Sequence, residues 1–220
     1  MKHMTVGELL VRCLKAEDVE LMSGIIDGAH IPIIAALRDH GVRYINAHHE
    51  EAATHIAEGY ARIARKPGVV LGNPACGTGN MLAGVVSAHG EGHPIVAIRA
   101  TRSPLKTDPN RGGAWQAADT ESMARPITKS AATVRQWRRL PEMMRAAFRA
   151  ATTGRPGPAY IALSDDMLAE EVEIETLPAI YKADQYRVTN PGAGDPALIA
   201  RAAERLAKAE RPSGGEHAPH

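Results

Sequence analysis

The chain has 220 residues, with 26 Lys and Arg against 25 Asp and Glu, so its formal charge of +1 gives no whole-chain field to attract nucleic acid or an anionic membrane. A 44% hydrophobic content can build a core, and at roughly 100 to 200 residues per domain the length allows one domain plus a fragment or one large α/β domain. Aromatic residues make up 4%, too few for base-stacking platforms, and the apolar runs fall far short of the roughly 20 residues needed to cross a bilayer. Lys2 is followed by no apolar leader, and Cys13 and Cys76 are too few for a disulfide framework or a zinc site. A cytoplasmic chain without membrane or nucleic-acid partners is expected.

Thr5-x-x-Glu8 has the spacing of a capping box and opens an amphipathic helix carrying Leu9, Leu10, Cys13 and Leu14. Short β-rich runs then recur at 19–25, 44–47, 69–72, 94–100, 132–135 and 159–163. Helical patterns lie between them at 31–40, 50–65, 79–89 and 141–153, the last with Pro141 in its first turn and Gly154 at its stop. Strands alternating with helices, several of them unbroken apolar runs, predict a doubly wound, three-layer α/β domain around a parallel sheet. The composition turns acidic near Asp165, and Pro178 interrupts any regular element, so 171–190 reads as a linker after a domain at 1–170. Asp195 and Pro196 cap a further helix that ends near Lys208. With no apolar strand after it, 191–220 reads as the truncated start of a second α/β domain.

Two segments carry possible chemistry. In 47–62, AHHEEAATHIAEGYAR, a strand gives way to a helix, which puts Glu50 and Glu51 at the C-terminal edge of a parallel sheet, where α/β proteins bind ligands. On charge alone, both could simply complement the helix dipole. His48, His49 and His55 lack HExxH spacing, and no metal site is predicted from them. In 69–80, VVLGNPACGTGN, a strand runs into a loop containing Gly72, Gly77 and Gly79, which can serve as turn chemistry or as a close backbone approach to a flat ligand. Eight basic residues between Arg125 and Arg155 could suggest nucleic acid. However, Met143, Met144, Ala147 and Phe148 fall among them at helical spacing, so the arginines read as the wet face of an amphipathic helix.

Together these segments resemble the N-terminal pyrimidine-binding domain of thiamine-diphosphate-dependent enzymes of the acetolactate synthase and 2-oxo acid decarboxylase type. Five blocks carry the resemblance in order: HHEEAATHIAEGYAR at 48–62, ACGTGN at 75–80, the run from Ala88 to Ile98 with Pro94, WQAAD with RPITK at 115–129, and TGRPGPAYIALSD at 153–165. The resemblance implies the thiamine-diphosphate-binding fold. It also implies that Glu50 is the catalytic carboxylate that hydrogen-bonds the aminopyrimidine ring and activates the cofactor for ylide formation at C2, in decarboxylation or carboligation of a 2-oxo acid. Gly24, Gly28, Gly77 and Asn80 would bind the pyrimidine end of the cofactor, and Gln116 would face the substrate. No protein ligand to a metal is implied in this chain.

The resemblance also implies that Mg2+ and the diphosphate belong to a separate domain with a GDG motif. That motif does not occur here; Gly194-Asp195-Pro196 is the nearest string. The expected chain is therefore inactive alone and completed in a homodimer or by a partner chain carrying the diphosphate-binding domain. FAD, held mostly by the central domain in some members of that family, has no basis in these residues. Pocket residues depart from the family pattern at Ile25 to Asp27, at Cys76 and at His48, so the 2-oxo acid is left open. Two other readings stay open: the small subunit of a two-chain decarboxylase, and a non-catalytic α/β binding module.

Overall fold

A computed structural model describes residues 2–109, 115–189 and 192–211. Residues 1–187 form one compact unit, and the chain from Val188 onward forms a second.

The first unit is built on six parallel strands in the order β3-β2-β4-β5-β7-β6. These are β2 (Leu21–Gly24), β3 (Arg43–Asn46), β4 (Gly68–Gly72), β5 (Ile95–Thr101), β6 (Ser130–Thr133) and β7 (Ala159–Ser164). Strand alternation sends β5 Val96, Ile98 and Ala100 to one face and Ile95 and Ala97 to the other, and β7 divides in the same way. Helices α1 (Val6–Ala16), α2 (Ile31–Asp39) and α7 (Leu140–Thr152) cover the first face. Helices α3 (Glu50–Ala64), α4 (Cys76–Glu91) and α6 (Thr120–Ala124) cover the second. A sheet with both faces buried explains the unbroken apolar runs of β4, β5 and β7, and the predicted doubly wound α/β class is the one observed. Two short helices complete this unit, α5 (Pro104–Thr107) after β5 and α8 (Asp165–Ala169) after β7.

Three expectations change in detail. Thr5 caps α1 by accepting from the Glu8 amide, but the Glu8 carboxylate pairs with Arg12 instead of reaching back, so only half of the capping box forms. The strand expected at 132–135 is shifted to Ser130–Thr133. The segment read as a linker is not free up to 187. Its strand β8 (Glu171–Glu173) pairs antiparallel with β1 (His3–Thr5), and its end is fixed at Glu17. Glu17 and Arg187 form a buried ion pair at 2.8 Å, and Tyr186 also donates to Glu17.

In the second unit, α9 (Pro196–Lys208) starts at Asp195, whose side chain accepts from the Ala197 and Leu198 amides, as its sequence predicts. Leu198, Ile199 and Leu206 are exposed on this helix. No helix among the described residues is long and apolar enough to cross a membrane.

Candidate functional site

Helices α3 and α4 both begin at the C-terminal edge of the sheet, on the same face, and their first turns meet there. His49 is the N-cap of α3 and accepts from the Glu51 amide, which places Glu50 at the first helical position. Glu50 is 5% exposed. A buried carboxylate is tolerable at a helix N-terminus, where free amides and the dipole favour negative charge. Asn80, one turn into α4, donates from Nδ2 to Glu50 Oε2 at 3.1 Å.

The glycine segment corrects the expectation of a loop. Residues 76–80 are the first turns of α4, where the Gly79 amide donates to the Ala75 carbonyl at 2.8 Å. The turn strain falls on Ala75, at φ +46°, whereas Gly77 and Gly79 are not among the glycines with positive φ. Gly77 serves close approach: a Cβ there would collide with Glu50 Oε1 and lie 2.6 Å from Asn73 Cβ. Two turns later, a Cβ on Gly84 would lie 2.6 Å from Thr54 Cβ, so the two helices are held together through glycine. Thr54 Oγ1 donates to the Glu50 carbonyl at 2.8 Å and secures the same turn.

Gly24 reaches this cluster through another residue. A Cβ there would meet the Leu71 carbonyl at 2.5 Å and the Tyr44 hydroxyl at 2.6 Å, so Gly24 makes room for Tyr44 at the end of the sheet. The Tyr44 hydroxyl is buried and has no hydrogen-bond partner among the described residues. Burial, and after it the negative charge of Glu50, raise its pKa, so it remains a protonated donor. Asn73 Oδ1 is likewise buried without a partner among those residues.

Gly28 and Gln116 lie elsewhere. Both belong with Arg102, which donates to Gln116 Oε1, pairs with Asp165 at 3.4 Å, and lines a groove of about 670 Å3 together with Gly28, Ser103 and Lys106. Sequence-predicted Glu50, Gly77 and Asn80 thus form one cluster with Gly24 behind Tyr44, and Gly28 and Gln116 form another around Arg102. Between the strand ends, fully buried His30 donates from Nδ1 to the Ile25 carbonyl at 3.3 Å, and burial lowers its pKa.

Two further histidines and part of the basic run have internal roles. His55 and His93 donate to the two oxygens of Glu58 at 2.8 and 3.0 Å. Arg145 stacks on Tyr181 and Arg149 on Tyr186, so part of the basic face of α7 holds the segment leading to Arg187. Tyr44, His30 and Arg99 were missed by sequence reasoning. Only Arg99 carried a visible signal, as one charged residue inside the apolar run IVAIRAT.

This arrangement offers a flat or heteroaromatic ligand a buried carboxylate, a carboxamide, an unpartnered hydroxyl and a glycine surface at one edge of the sheet. Residues 4–123 match the protein family described as thiamine pyrophosphate enzyme, N-terminal TPP binding domain. Across 209 residues the chain is 35% identical to a probable acetolactate synthase large subunit of Methanocaldococcus jannaschii, an alignment covering 95% of this chain and 35% of that protein. It is 34% identical over 216 residues to glyoxylate carboligase of Escherichia coli O157:H7, covering 96% of this chain and 35% of that one. A probable 2-ketoarginine decarboxylase of Pseudomonas aeruginosa is 30% identical over 214 residues, covering 96% and 37%. The chain thus spans about a third of the length of these relatives.

Proposed function

This chain belongs to the thiamine pyrophosphate enzymes through their N-terminal TPP-binding domain, and on that premise we propose that its Glu50 cluster holds the aminopyrimidine end of thiamine diphosphate, with Glu50 as the catalytic carboxylate. The observation that carries this reading is a carboxylate 5% exposed at the start of a helix, with one oxygen on Asn80 and the other facing a glycine. A ring nitrogen needs a group that can both accept and return a proton, which a carboxylate does and an amide does not. Gly77 lets the Glu50 carboxylate pack directly against the first turn of α4, where any side chain would collide with it, and Asn80 orients the carboxylate. Gly24 gives Tyr44 its place, and the Tyr44 hydroxyl, without a hydrogen-bond partner among the described residues, is close enough to feel the charge of Glu50.

When bound, the cofactor supplies the electron sink that decarboxylation or ligation of a 2-oxo acid requires. The residues of this chain bind and orient its pyrimidine end and hold a proton at Glu50. The diphosphate and Mg2+ are assigned to a different domain, contributed by a second copy or a partner chain, and a 2-oxo acid is the proposed substrate class. Gly28, on the Arg102 groove, and Gln116, which accepts from Arg102, are assigned to the substrate side. We put the end of the pyrimidine-binding domain at 187, a boundary supported by the Glu17–Arg187 pair at the end of the first compact unit.

The test is titration of the full chain with thiamine diphosphate, followed by amide chemical shifts and by ligand-proton saturation transfer. The expected result is shifts centred on Glu50, Gly77 and Asn80, transfer to the pyrimidine protons ahead of the thiazolium protons, and weaker binding in Glu50→Gln. In an assembled enzyme, Glu50→Gln should also abolish exchange of the cofactor C2 proton. Shifts that avoid this cluster, or Glu50→Gln behaving as wild type in both measurements, would overturn the assignment.

A further inference from the structure

Arg99 is the third feature of this sheet edge, and the Glu50 cluster does not use it. It occupies β5 opposite Gly72 of β4 and Ala162 of β7, on the sheet face covered by α6, and is 3% exposed. Its Nη1 donates to Thr120 Oγ1, which hydrogen-bonds the Tyr160 hydroxyl at 2.7 Å. Among the described residues its buried Nε has no partner, and no carboxylate forms an ion pair with it. A guanidinium keeps its charge and carries five N–H donors in a fixed fork, so burying it against the neutral hydroxyls of Thr120 and Tyr160 is unfavourable unless a counter-charge is supplied.

Two of the nearby carboxylates are already engaged, whereas Asp108 lines the cavity without forming an ion pair with Arg99. Asp119 contributes favourable charge to Arg99 but caps α6, accepting from Ser122 N at 3.1 Å and Ser122 Oγ at 2.6 Å. Asp165 is taken by Arg102. Arg99 opens on a cavity of about 370 Å3 whose charged lining among the described residues is Arg99, Arg102, Arg135, Asp108 and Asp119, with Arg102 already paired to Asp165. That volume suits a small ligand, and buried Arg99 Nε has no partner among the described residues.

We propose that this cavity binds a small oxyanion, a carboxylate or phosphate group, with buried Arg99 as its anchor and Arg135 at its exposed side. The guanidinium fork pairs with two oxygens of such a group, which satisfies Nε and neutralises the buried charge together. The cavity shares no residue with the Glu50 cluster, so this site and the cofactor reading stand or fall separately.

The experiment is thermal unfolding of the full chain in sodium phosphate, sodium acetate and sodium chloride at matched ionic strength, with calorimetric titration of whichever oxyanion stabilises. A saturable rise in Tm with phosphate or acetate but not chloride is expected, and the stronger of the two identifies the class of group. Arg99→Gln should abolish the salt-specific rise, and Arg135→Gln, an exposed change, should weaken binding about threefold or more while leaving the fold intact. A purely structural Arg99 would lower Tm in Arg99→Gln yet keep the salt-specific rise, and that result overturns the site. So does an identical response to all three salts. If Arg99→Gln does not fold, Arg135→Gln decides: unchanged oxyanion affinity sinks the proposal.

Discussion

Asn80 Nδ2 donates to Glu50 Oε2 at 3.1 Å, joining two residues thirty positions apart that each sit in the first turns of a helix. This bond is what makes Glu50 an oriented carboxylate and not simply a charge at a helix start. Asn80→Leu should leave Glu50 in place without its side-chain donor. The expected loss is about 1 kcal/mol in stability, with a larger proportional loss of thiamine diphosphate affinity. Chemical denaturation and calorimetry on the same variant check this; affinity equal to wild type would show that the amide is dispensable.

Gly77→Ala sets helix propensity against sterics. Alanine is worth up to about 1 kcal/mol over glycine within a helix, whereas overpacking a close contact costs about 1–3 kcal/mol. The added Cβ would run into a carboxylate oxygen of Glu50 and lie 2.6 Å from the Asn73 side chain, and Glu50 cannot retreat easily from its place at the start of α3. The clash should win. The net loss should be about 1–2 kcal/mol, or a few degrees in Tm for a domain of this size, with Glu50 displaced and cofactor binding lost. A variant more stable than wild type that still binds would refute the close-approach role.

Glu58 gives a pH dependence whose sign can be worked out. Burial alone would raise its pKa, but hydrogen bonds from His93, His55 and Ser87 outweigh burial and hold it below the ordinary carboxylate value. A carboxyl group lower in the folded than in the unfolded chain contributes stability that is present above the unfolded pKa, near 4.3. That contribution is lost as pH falls through the folded value. Glu58→Gln should lower stability at neutral pH and flatten the decline in Tm below about pH 4.3. Melting curves from pH 3 to 7 test it, and parallel profiles for the two proteins would remove Glu58 from the account.

The Glu17–Arg187 pair should anchor the end of the first unit. Both side chains are nearly inaccessible, at 2% and 8% exposed, and Glu17 also accepts from Tyr186. Arg187→Ala leaves a buried carboxylate without its cation, which costs about 3–5 kcal/mol in comparable cases. Limited proteolysis should then open the segment at 174–187 first, while the sheet stays protected. Protection of that segment equal to wild type would show that the stacking of Arg145 and Arg149 suffices.

Much of this protein was legible along the chain. Alternating apolar runs and helical periodicity are local patterns, and they indicated the doubly wound α/β class, the six strands of the parallel sheet to within about two residues and the start of α9 at Asp195, but not the small β1–β8 pair. Five blocks in order identified the family and singled out Glu50, because the residues of each block are neighbours in sequence. What the chain could not show was adjacency between distant segments. That Gly77 is needed for contact with Glu50 and not for a turn depends on the meeting of α3 and α4. That 171–187 is strapped down depends on Glu17, at the other end of the domain. That Arg99 is buried with Nε unpartnered among the described residues depends on the packing of β5 against α6. Periodicity is set by local backbone geometry, whereas pairing, burial and unmet charge are set by which surfaces the fold brings together, and those only the tertiary structure decides.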